Sequence, residues 1–117
     1  MKSITAIIKP YKSQLQTADY SKLDSADSWL IEKWQHRIPK GWYGFDGINE
    51  LWGKIIDEVL VELEKVAPDF EIHQIKLKFG GLRFYVTTNL KDSKTYNKIE
   101  KEIERLEELL FSTSLIY

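Results

Sequence analysis

The chain has no cysteine, which excludes disulfide staples and thiolate metal sites and accords with a reducing compartment without requiring one. It has two histidines, His36 and His73, and neither stands in a His-x-x-x-His or comparable ligand spacing. It lacks an excess of either charge: 17 basic residues face 18 acidic ones for a net charge of -1. Bulk electrostatics therefore favour neither nucleic acid nor an anionic membrane, and any basic site must be a local patch. No segment approaches the roughly 20 apolar residues needed to span a bilayer. The opening Ile4-Thr5-Ala6-Ile7-Ile8 is a short apolar stretch broken by Lys9, too short for a signal-peptide core. Serine nowhere stands in a Gly-x-Ser-x-Gly context, and the carboxylates follow helix surfaces rather than forming an isolated pair in apolar surroundings. These absences predict a cytoplasmic protein without cofactor, metal or membrane partner, and not an enzyme.

What is present is enough apolar matter for one domain over residues 1–117: 43% hydrophobic and 13% aromatic residues. After Gly47, Ile48, Leu51, Trp52, Ile55, Ile56, Val59, Leu60, Leu63 and Val66 recur at three- and four-residue spacing, the stripe of an amphipathic helix that Pro68 terminates. Asp46 is the expected cap of this helix. Gly53 interrupts the stripe, which points to close packing or a tolerated weakness. Tyr96, Ile99, Ile103, Leu106 and Leu110 form a second stripe, with Asp92 or Ser93 as its cap. A shorter helix is expected from about Ser25 to His36. The segment up to Leu15 reads as helix or strand, with Pro10 against one uninterrupted helix, and the polar run from Gln16 to Asp24 reads as a mobile connection.

The run Gln74-Ile75-Lys76-Leu77-Lys78-Phe79-Gly80-Gly81-Leu82-Arg83-Phe84-Tyr85-Val86 predicts an antiparallel hairpin turning at Gly80-Gly81, since glycine takes positive φ without steric cost. Its period of two separates an apolar face, Ile75, Leu77, Phe79, Leu82, Phe84 and Val86, from a polar one, Lys76, Lys78, Arg83 and Tyr85. Phe70 and Ile72 have the other parity, so either a bulge lies near His73 and Gln74 or pairing starts after them. A hairpin alone is marginal and needs helices, or a further strand from the N-terminal segment. The expected fold class is α+β, an antiparallel hairpin or small sheet packed against amphipathic helices.

Two segments carry candidate chemistry. Lys76, Lys78, Arg83 and Tyr85 concentrate positive charge and a π face, suited to phosphates and bases or to a protein surface, against the plainer reading of a solvated sheet whose lysines discourage aggregation. Lys40-Gly41-Trp42-Tyr43-Gly44-Phe45 places aromatics among glycines, where Trp42 and Phe45 are expected to fold beneath the hairpin and Tyr43 to remain an exposed contact.

The stretch Lys78-Phe79-Gly80-Gly81-Leu82-Arg83-Phe84-Tyr85, following Gly41-Trp42-Tyr43 and an amphipathic helix, resembles a motif in small uncharacterised proteins of phages and prophage-bearing bacteria. The resemblance spans about positions 41 to 86. Many such proteins continue into a cysteine-rich segment that looks like a zinc site; this chain has no cysteine there, so no metal is implied. The mobile-element setting implies roles such as toxin immunity, inhibition of host defence or accessory binding. The expectation is a protein-binding module, an immunity or inhibitor protein acting stoichiometrically on one partner protein through Tyr43, Lys76, Lys78, Arg83 and Tyr85. The alternative is a nucleic-acid-binding accessory protein using the basic hairpin face.

Overall fold

A computed structural model describes residues 1–114. The N-terminal segment is helical: α1 (Ile4–Ile8) and α2 (Lys12–Thr17) flank a 3-10 turn, Lys9–Tyr11, that accommodates Pro10. It supplies no strand. The expected mobile connection contains a further 3-10 turn, Tyr20–Lys22, and the Tyr20 hydroxyl donates to the Leu15 carbonyl. Helix α3 (Asp27–Trp34) leads through another 3-10 turn to β1 (Gly44–Asp46), and then come α4 (Glu50–Val66), β2 (Glu71–Lys78), β3 (Gly81–Thr87) and α5 (Ser93–Ser114).

The chain is α+β, with a three-stranded mixed sheet in the order β1-β2-β3. The third strand comes from the aromatic-glycine loop, and β1 runs parallel to β2 in the register Gly44–Gln74, Phe45–Ile75, Asp46–Lys76. Helix α4 makes the crossover, as a parallel pair requires. Its apolar stripe is buried from Leu51 to Leu63 and forms the centre of the core. Asn49, not Asp46, caps it: the Asn49 side chain accepts from the Leu51 and Trp52 amides at 3.0 and 2.8 Å. Asp46 is committed to the strand, and its carboxylate lies too early in the chain for those donors.

Helix α3 is pressed against α4, where a Cβ on Gly53 would collide with the Ala26 Cβ and stand 3.2 Å from Trp29. Asp57 of α4 locks the same contact, accepting from Lys33 Nζ at 2.9 Å and from Trp34 Nε1 at 2.8 Å. The Asp27 carboxylate at the start of α3 then takes the amides of Gly47 and Ile48 at 2.8 and 3.0 Å, fixing the corner between β1 and α4. At the other end, Asp92, one of the two caps expected for α5, accepts from the Thr95 hydroxyl and the Lys94 amide; those bonds hold its carboxyl below the usual range. Among the described residues no helix is long and apolar enough to cross a membrane.

The hairpin turns one residue earlier than the glycine pair suggests. Lys78 pairs with Gly81 and Leu77 with Leu82, so Phe79 and Gly80 are the central turn residues, with φ of 53° and 77°. Positive φ at both is what a type I′ turn requires. A left-handed phenylalanine costs about 1–2 kcal/mol, but this register seats Leu82 and Phe84 in the core. It also brings Gly81 beside α5, where a Cβ would lie 3.0 Å from Phe111 Cδ2. Gly81 thus serves close approach rather than the turn. Phe79, expected in the core, is 87% exposed, and Leu77 is exposed as well. Of the two readings of the parity change, a bulge or a later start of pairing, the structure has the bulge, between Ile72 and Gln74, and it restores Ile72 to the inner face.

Candidate functional site

Helices cover the inner face of the sheet and leave the outer face open. Across that face the register sets Lys76 opposite Arg83 and Gln74 opposite Tyr85, with Lys78 beside Gly81 at the turn. The sheet therefore brings together four of the five residues expected to form the site. Tyr43, the fifth, lies just ahead of β1 at the far side of the same sheet and is 79% exposed. Trp42 does not fold under the hairpin as expected. It is 50% exposed and meets the His73 ring edge-on, with centroids 4.8 Å apart. The extra bulge residue aims His73 outward, where its Nε2 lies 3.0 Å from the Thr87 hydroxyl oxygen. Phe45, its inward neighbour, is buried as expected. The face thus carries Trp42 and Tyr85 in addition to its cations, and Tyr43 is exposed just ahead of β1.

Two acidic residues lie near the cations of this face. Asp46 stands beside Lys76 in the parallel register. Arg83 lies near Glu107 of α5, close enough to draw that carboxyl downward electrostatically. The sequence singled out the basic residues but not these acidic neighbours, because both depend on tertiary placement.

Helices also approach both edge strands. Glu107 accepts the outward-pointing Phe84 amide of edge strand β3 at 3.0 Å, and α3 packs along β1. Glu107 thereby takes one of the outward donors that a partner strand would need at β3.

Burial pushes the Glu107 carboxyl up, and this outweighs the lowering by the Phe84 amide and Arg83; Glu104 and Glu100 add to the rise. A pKa raised on folding contributes stability below the usual carboxylate range that is lost as pH rises through the folded value. Glu107→Gln keeps an oxygen for Phe84 and removes the charge. Its stability relative to wild type should be more favourable at about pH 7 than at about pH 4. Urea unfolding at both pH values checks this; a difference that does not change with pH would show that Glu107 titrates alike in the folded and unfolded chain.

Comparison with protein-family profiles, with curated proteins and with solved structures returned no match.

Proposed function

We propose that this chain is a small cytosolic protein-binding module, of the immunity or inhibitor kind, that acts by stoichiometric contact through the open face of its sheet. The observation that carries the reading is the exposure of Trp42, Tyr43 and Tyr85, at 50%, 79% and 52%, on and next to the open face of the sheet. Large aromatics with few rotatable bonds, ringed by Arg and Lys, are the side chains that dominate binding energy at protein interfaces. The immunity or inhibitor role rests on the motif resemblance of residues 78–85. The nucleic-acid alternative uses Lys76, Lys78 and Arg83 to track phosphates, and the carboxyl-bearing Asp46 beside Lys76 and Glu107 near Arg83 weigh against it.

The test is capture by the tagged chain from host lysate, with and without nuclease, followed by titration of the purified partner against Tyr43→Ala/Arg83→Ala/Tyr85→Ala. A single protein that survives nuclease and binds the triple variant at least roughly a hundredfold more weakly is the expected result. Unchanged affinity would exclude this face. Loss of every bound species on nuclease treatment would put nucleic acid first.

A further inference from the structure

A second surface lies at the hairpin tip. Between the turn and α5 there is a cleft of about 570 Å³ lined on one side by Lys78, Phe79 and Arg83 and on the other by Glu104, Glu108 and Phe111. Phe79 forms part of its rim and projects from it, 87% exposed and held by a left-handed backbone that an asparagine or glycine would take more readily. Strain of this kind at an exposed aromatic invites a functional reading. Lys78 Nζ sits 5.6 Å from the centroid of the Phe79 ring, so the projecting aromatic carries a positive charge with it.

We propose that this surface is a self-association site at which two copies of the chain pair about a two-fold axis, each placing Phe79 in the cleft of the other. The occupant is identified by the arrangement of the surface. A projecting aromatic stands on the rim of a cleft whose apolar lining includes Leu82 and Phe111, and a basic lip on the hairpin faces an acidic one on α5. A two-fold contact needs this self-complementarity, because every feature must meet its complement on an identical surface. Rotation sets Lys78 of one copy against Glu108 of the other. Glu108 is available for that contact, since its ion pair within the chain is the exposed 3.8 Å approach of Arg105. An acidic or a basic partner would meet one lip and be repelled by the other, whereas a second copy satisfies both. The contact shares Lys78 and Arg83 with the face proposed above but lies away from Tyr43, which is level with the start of β2, roughly 20 Å from the tip at the rise of a strand; Phe79→Asn, which leaves that face's residues in place, therefore tests the dimer separately from partner binding.

The apolar part of the patch is smaller than a permanent interface, and the dimer is expected to be in dynamic exchange with monomer. Sedimentation equilibrium of the full chain from about 1 μM to about 1 mM should show a monomer–dimer equilibrium in that range. Phe79→Asn, which suits the turn and preserves the fold, should weaken the dimer roughly tenfold or more. Lys78→Glu and Glu108→Lys should each weaken it, and the combined variant should recover most of the loss, because the swapped charges again face each other. A wild-type chain monomeric throughout, a dimer indifferent to Phe79→Asn, or a combined variant no better than its parents would each overturn the proposal.

Discussion

Replacing Gly53 by alanine should destabilise the fold by about 1–3 kcal/mol, even though the same change on an open helix would gain up to ~1 kcal/mol. The added methyl collides with the Ala26 Cβ, and Leu30 and Trp29 close the remaining space. Two helices cannot separate locally, because Asp57 ties Lys33 and Trp34 to α4 just beyond the contact. The shift must therefore pass to α3 as a whole and to Asp27, which holds the Gly47 and Ile48 amides. Gly53→Ala is thus expected to weaken partner binding through Tyr43 as well as to lower the urea midpoint. Lys54→Ala, one position on and exposed, should stay within about 0.5 kcal/mol of wild type. A net gain in stability for Gly53→Ala would show that α3 is not pressed onto α4.

Trp52→Ala should have the largest effect of any single truncation, about 3–5 kcal/mol, against a total stability of about 5–15 kcal/mol for a domain of this kind. Trp52 is the largest of the fully enclosed side chains, at 2% exposure on the central helix. Its removal leaves a void bordered by several elements, which a rigid core closes poorly. Trp52→Phe separates two contributions. It keeps most of the ring and deletes an indole Nε1 that finds no acceptor among the described residues. A buried donor without a partner is itself destabilising, so the phenylalanine variant should cost markedly less than the alanine one in urea unfolding. Equal losses would show that the indole N–H is bonded in solution.

The difference between the legible and the illegible parts of this chain is one of range. Period-3.6 stripes identified α4 and α5 because every residue on a helix face reports the same environment, and Pro68 and Asp92 marked their ends by local chemistry. The bulge at His73 was legible from the change of parity between Ile72 and Ile75. Strand β1 was not: Gly44, Phe45 and Asp46 are too few for a period, and they become a strand only because β2 lies alongside. The hairpin register was ambiguous because moving the turn from Gly80-Gly81 to Phe79-Gly80 shifts pairing by two and leaves each side chain on its own face. The packing of Gly81 against Phe111 belongs to the observed register, and it joins residues that no local pattern connects. Of the site, the basic cluster was legible from alternation alone, whereas Trp42 on the outer surface and the acidic neighbours of Lys76 and Arg83 required the assembled sheet.

The parallel strand has a consequence for the order of events along the folding pathway. Strands β2 and β3 meet across a two-residue turn, so their pairing carries little closure entropy and can form early. Strand β1 reaches β2 only after the whole of α4 has returned along the sheet, and it then has just three paired positions. In native-state hydrogen exchange its amides should open before those of the hairpin, at a free energy below that of global unfolding. Tyr43 adjoins this last-formed, first-opened strand while Tyr85 and Arg83 stay with the hairpin. A partner that needs all three would bind only the fully closed sheet, and its arrival would be read as slowed exchange at Gly44–Asp46.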